Sequence, residues 1–203
     1  MHRRSLTIGL LLIALALPLS ASQFVELPFD QIASEAQYIV RGHIVETYAA
    51  WDDSHEIIYT YATVRVSRYF GETAGPDTLV VREVGGTVDG YTQEAIGFPM
   101  IRRGEEVVLM LTQWEESADY RIHAFNQGKF LVRQRGGLDV VLPDAVHQGD
   151  ERLTPQPGHG RELDVKANAI SADTPALSMD EFAQMVSDAR AGRTARNTVL
   201  QRD

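Results

Sequence analysis

The chain has 203 residues, 28 Asp and Glu against 19 Lys and Arg, a formal net charge of −9 and no cysteine. Nucleic acid and anionic lipid both need a basic face, so this balance excludes them as partners. Without cysteine there is no thiolate catalysis, no thiolate metal ligand and no disulfide, and stability has to come from the core.

Arg3 and Arg4, the apolar run Leu6 to Leu17 and the small-residue close Pro18 to Ser22 make the three-part pattern of a secretory signal peptide. Residues 1–22 are expected to be removed, with cleavage after Ser22, and the apolar run is too short for a stable membrane anchor. The protein is therefore read as exported, periplasmic or secreted.

Next, Phe29, Ile32, Ala33 and Ala36 recur at helical spacing behind Pro28, which predicts a short helix on the mouth of the fold. Tyr38 to Tyr48 reads as a strand with Val40, Gly42 and Ile44 on one face, and Gly42 predicts a bulge or sharp bend. A polar connection, Ala49 to His55, leads to the most regular stretch of the chain, Glu56 to Phe70. There Ile58, Thr60, Ala62, Val64 and Val66 alternate with Tyr59, Tyr61, Thr63, Arg65 and Ser67, the period of a half-buried strand. A slip of one residue would turn the aliphatic set to water, so that set is assigned to the core. Thr78 to Val84 follows a turn-rich Gly71 to Asp77 and ends at Gly85-Gly86. Val88 to Ile96 is expected as one short strand interrupted by Gly90. Val107 to Leu111, apolar throughout, predicts a strand buried on both faces. Tyr120 to Phe125, Lys129 to Arg133 and Leu138 to Leu142 complete a set of about seven short strands with no helix long enough for parallel crossovers.

The fold class is accordingly mainly β: an antiparallel barrel domain over 23–142 with a short N-terminal helix and a C-terminal helix. Residues 143–177 read as a linker or surface excursion and 192–203 as a flexible tail. The helix is placed at 178–191, where Ser178 and Glu181 form a capping box and Met179, Phe182, Met185, Val186 and Ala189 a stripe.

The order FDQIASEAQYIVRGHIV, IYTYATVRVSRYFGE, PDTLVVREVGG, RRGEEVVLMLT and GKFLV resembles a family of exported bacterial proteins that is similar to the netrin-like module, the OB-type barrel of the tissue inhibitors of metalloproteinases. The resemblance spans roughly Phe24 to Arg133 and implies an OB-like barrel. Those inhibitors act through an N-terminal cysteine on the protease zinc, and this chain has none, so that mechanism does not transfer.

Among the six histidines, His55 with Asp52 and Asp53, beside His43 on the preceding strand, makes the tightest group of possible metal ligands. Their spacing matches no metal motif, and no metal or other cofactor is assigned. No Gly-x-Ser-x-Gly elbow occurs, and the glycine-rich Gly85 to Gly90 lacks the Lys-Ser or Lys-Thr of a phosphate loop. Glu105-Glu106 and Glu115-Glu116 are taken as solvated charges at strand ends, and no catalytic residue is assigned. The remaining site is a surface: Tyr59, Tyr61 and Arg65 on one strand face, the residue types on which binding hot spots draw. The same face also offers the C-terminal helix something apolar to pack on, so an open binding patch and a helix-covered patch stand side by side. The function expected is that of an exported non-enzymatic module binding a protein or peptide partner, a secreted protease among them. A glycan- or small-ligand-binding module and, behind it, a metal-dependent hydrolase are the alternatives.

Overall fold

The computed structural model describes residues 26–71, 74–95, 97–115, 117–144 and 176–193. The expected signal peptide, most of the segment 143–177, the C-terminal tail, His147 and His159 lie outside these residues.

The elements run α1 (Phe29–Glu35), β1 (Tyr38–Trp51), β2 (Ile58–Tyr69), β3 (Thr78–Val84), β4 (Gly86–Val88), β5 (Tyr91–Gln93), β6 (Glu106–Gln113), β7 (Tyr120–Ile122), a 3₁₀ turn (Phe125–Gly128), β8 (Lys129–Arg135), β9 (Leu138–Pro143), β10 (Leu177–Ser178) and α2 (Met179–Arg190). β1, β2 and β3 form an antiparallel meander, β6 returns to pair with β1, and β7 fills the gap by running antiparallel to β6 and parallel to β3. The result is a closed five-stranded barrel.

Alternation along β2 decides what the barrel contains. Ile58, Ala62 and Val64 are buried and Val66 is half-buried against them, whereas Arg65 and Ser67 on the opposite face are exposed. Val40, Ile44, Leu79, Val81, Leu109 and Leu111 complete the interior. At Gly42 the β1–β2 register shifts, and a Cβ there would lie 2.6 Å from Val64 Cγ1 and 2.8 Å from the Arg65 carbonyl oxygen. The glycine lets β1 close onto β2 at this corner.

β6 is buried on both faces, as its unbroken apolar run predicts. Val107, Leu109 and Leu111 point into the barrel; Val108 and Met110 point out into a second core. That second core exists because the outer edge of β6 is divided: β7 takes Leu111–Gln113 and β8 takes Val107–Leu109, and the sheet runs on through β9 and β10. On this extension α1 and α2 bury Ile32, Ala33, Phe182, Met185, Val186 and Ala189.

The C-terminal helix follows its sequence signal closely. The Ser178 hydroxyl accepts the Glu181 amide and the Glu181 carboxylate accepts the Ser178 amide, closing the capping box. Its position corrects one expectation, because it does not cover the tyrosines. Phe182 instead lies among Phe29, Phe70 and Phe130, with ring centroids 5.6, 5.4 and 5.3 Å away. α1 packs beside it on the sheet extension.

A second correction concerns the single interrupted strand expected over Val88 to Ile96: the described residues instead form a two-stranded hairpin of Gly86–Val88 (β4) and Tyr91–Gln93 (β5). Asp89 and Gly90 both have positive φ, 51° and 83°, the signature of the tight turn whose twist suits a hairpin. Among the described residues no helix is long and apolar enough to cross a membrane.

Candidate functional site

With the helices packed elsewhere, the outer face of β1, β2 and β3 is left carrying aromatic and guanidinium groups. One register row crosses the three strands as Tyr48, Tyr61 and Arg82; the next crosses as Ala50, Tyr59 and Val84. Side chains on a row stand within contact distance, so the register assembles the surface. Tyr48 and Tyr61 are stacked with their rings nearly parallel, the centroids 4.9 Å apart and the planes 7° apart. Tyr48 is 54 % exposed.

Arg82 occupies the centre. Its guanidinium carbon is 5.0 Å from the ring centre of Tyr59 and 4.8 Å from that of Trp114, and Arg121 stacks on Trp114 at 5.2 Å. The indole N–H of Trp114 donates to the Arg82 carbonyl oxygen at 3.2 Å, which fixes the ring beside the guanidinium. The run Tyr59, Arg82, Trp114, Arg121 is thus an alternating series of ring and cation. A guanidinium suits such a place because it is planar and weakly hydrated. Asp119 Oδ2 approaches Arg82 Nε at 3.9 Å, beyond hydrogen-bond reach, and the buried Nε has no acceptor among the described residues.

Of the residues assigned from sequence, Tyr59 and Tyr61 stand in this surface and Arg65 stands outside it. Arg65 pairs with His43 and Thr78, four residues further along β2, about 13 Å from Tyr61. The arginine that joins the tyrosines is Arg82, together with Tyr48, Trp114 and Arg121. Period-2 reading of Thr78 to Val84 puts Arg82 opposite the buried Leu79, Val81 and Glu83, so its outward direction was readable. Its neighbours were not, because Trp114 and Arg121 arrive only through the parallel β3–β7 closure.

The polar loop group Asp52, Asp53 and His55 does not form a metal site with His43. The Asp52 carboxylate accepts from Ser54 Oγ at 2.5 Å, the Glu56 amide at 2.8 Å and the Ile57 amide at 2.9 Å. These bonds, the Ile57 amide first, hold its carboxyl below the ordinary range and build the turn between β1 and β2. His55 packs on Trp51, while His43 lies 3.6 Å from Glu106 at the other end of the strand. Among the described residues no group of three or more His, Asp or Glu is placed to hold a metal ion.

Two buried charged groups complete the polar inventory. Lys129, with its side chain wholly buried, donates to Glu105 at 2.8 Å, Asp144 at 2.8 Å and the Met100 carbonyl at 2.6 Å. Glu105 is therefore not the solvated charge expected of it but the partner of a buried ammonium. Glu83 points inward from β3 and accepts the Ile122 amide; burial pushes its carboxyl up to about 8 against the opposing pull of that amide and of Arg121. Both groups join strand to strand or loop to strand.

No family model, curated protein or solved structure matches this chain.

Proposed function

We propose that the protein is an exported, non-enzymatic binding module that engages a protein or peptide partner through the outer face of β1, β2 and β3. The observation that carries this reading is the Tyr59–Arg82–Trp114–Arg121 series with the stacked Tyr48 and Tyr61 beside it, left uncovered by either helix. Tyr, Trp and Arg are the residues on which protein interfaces concentrate their binding energy, and here they are already ordered by one another, so little side-chain entropy remains to be lost on binding. A five-stranded barrel closed by a returning strand is also how an OB-type barrel is built, and that fold uses the face of its second and third strands for ligands. On this reading the chain is a netrin-like OB barrel without the cysteine that inhibits metalloproteinases. It works outside the cytoplasm, with no cofactor, no nucleic acid and no stable membrane anchor.

A second reading, a glycan- or small-ligand-binding module, draws on the stacked Tyr48 and Tyr61 with the outer ring exposed, since OB-type barrels also take oligosaccharides. Capture from culture supernatant by the purified chain distinguishes the two. The proposed reading expects a protein retained by the wild type and lost from Tyr61→Ser and Arg82→Ala variants of unchanged fold. Retention of a carbohydrate alone favours the second reading, and equal retention by wild type and variants contradicts the face itself.

A further inference from the structure

β1 is longer than its partner on one side. β6 accompanies it from Tyr38 to His43, and after two bonds between Ile44 and the Gly104–Glu105 turn the described residues offer it no further strand. The amide of Asp52 donates to the Ile57 carbonyl at 2.8 Å at the head of the β1–β2 hairpin. Alternation back along the ladder then gives Ala50 and Tyr48 their bonds with β2, while Thr47, Ala49 and Trp51 turn their N–H and C=O groups outward. No described residue bonds these groups. An open edge of this length is usually guarded by Lys, Pro or a covering element; Glu46 to Trp51 contains neither residue, and the β4–β5 hairpin, which packs on Ala49 through Gly86 and on Trp51 through Tyr91, bonds none of these outward groups.

We infer that this edge pairs antiparallel with the same edge of a second copy of the chain, about a two-fold axis at Ala49. Three features select that occupant. In this register the outward groups of Thr47, Ala49 and Trp51 meet those of the partner's Trp51, the partner's Ala49 and the partner's Thr47, so every open donor and acceptor is satisfied. The small Ala49 and Ala50 lie at the centre, and the exposed Tyr48 comes to lie beside the partner's Ala50. The charges at the two ends of the edge are of opposite sign and offset the Glu46 carboxylate that this register sets opposite the partner's Asp52. The turn that ends the edge on the β6 side carries the exposed Arg103 and the turn at the other end the exposed Asp53, so two-fold pairing brings each Arg103 to the partner's Asp53. A two-fold interface requires that kind of match, one patch fitting itself. The continuous sheet would set two aromatic faces side by side, an arrangement independent of what those faces bind.

Sedimentation equilibrium of the purified chain over a wide concentration range tests this. The inference predicts a monomer–dimer equilibrium that Ala49→Pro weakens at least about tenfold, because the outward amide is lost twice, once from each copy. Melting at a concentration where both proteins are monomeric should change little, since that amide is not in the β1–β2 ladder. Arg103→Glu, at an exposed position where folding is not at stake, should also weaken the dimer, and adding Asp53→Arg should restore it. A monomer at every concentration, or a dimer indifferent to both Ala49→Pro and the charge exchange, overturns the inference.

Discussion

Tyr48 and Tyr61 face each other directly across β1 and β2, their rings 4.9 Å apart and nearly parallel, with Tyr48 more than half open to solvent. A stack of this kind adds roughly 0.5–1.5 kcal/mol beyond the area it buries when it sits in a core. At the surface it gains less, and its geometric effect is to present a flat, preordered aromatic plate. Tyr48→Ser is therefore predicted to lower stability by no more than about 1 kcal/mol in urea titration while weakening retention of whatever binds the face.

Val64 and Arg65 are neighbours in sequence and opposites in environment, one wholly buried inside the barrel and one exposed. An Asp at position 64 would place a carboxylate in the apolar interior without a partner, a cost large enough to abolish folding. Thermal melts should show Val64→Asp unfolded and Arg65→Asp within about 0.5 kcal/mol of the wild type. Equal losses would show the faces of β2 to be misassigned.

Glu83 makes stability depend on pH. Its folded pKa is raised to about 8, so between the unfolded value near 4.3 and about 8 the folded state binds a proton that the unfolded state does not. The contribution is fully present below the unfolded pKa and is lost as pH rises through the folded one, with an upper bound of about 5 kcal/mol. Urea midpoints should fall between about pH 5 and pH 8 for the wild type, and Glu83→Gln, which keeps an acceptor for the Ile122 amide, should flatten that fall.

Lys129 and its two carboxylates stand or fall together. Lys129→Met would leave Glu105 and Asp144 beside an apolar side chain in a nearly closed site, and a loss of about 3–5 kcal/mol is expected. Adding Glu105→Gln and Asp144→Asn should recover part of it, because no charge then remains uncompensated. A triple variant no more stable than Lys129→Met in chemical denaturation would contradict this account.

The C-terminal helix is part of the core it covers. Phe182→Ala should cost about 3–5 kcal/mol, and truncation after Leu177 should lower the urea midpoint further by removing Met185, Val186 and Ala189 as well. Identical midpoints for full-length and truncated protein would show the helix to be an independent appendage.

Much of the barrel was legible because period-2 alternation in Ile58 to Ser67 and the unbroken apolar run in β6 state burial directly. The capping box at Ser178 placed the start of α2 for the same reason: the signal is local. The partner of α2 is not a local property. Met179, Phe182 and Met185 announce that the helix needs an apolar surface, but the extension that provides it forms only when β7 and β8 divide the edge of β6. The same holds for the candidate site. Tyr59 and Tyr61 were visible as an aromatic face, whereas Arg82 joins them through register and Trp114 and Arg121 through a parallel pairing between distant strands. Arg65 shares the strand face of Tyr59 and Tyr61, as alternation predicts, but strand rise carries it out of their reach. Lys129 was hidden because nothing in its own neighbourhood predicts that Glu105 and Asp144 converge on it.

Hydroxyl-radical footprinting of the chain with and without the material it captures from culture supernatant tests the binding face most directly. Tyr48, Tyr61 and Trp114 report on the face, and the exposed Met100, Phe125 and Leu138 report on surfaces elsewhere. Protection of the first set with the second unchanged is the predicted result. Unchanged oxidation of Tyr48, Tyr61 and Trp114 in a complex that protects any other surface would contradict the assignment of this face as the binding site.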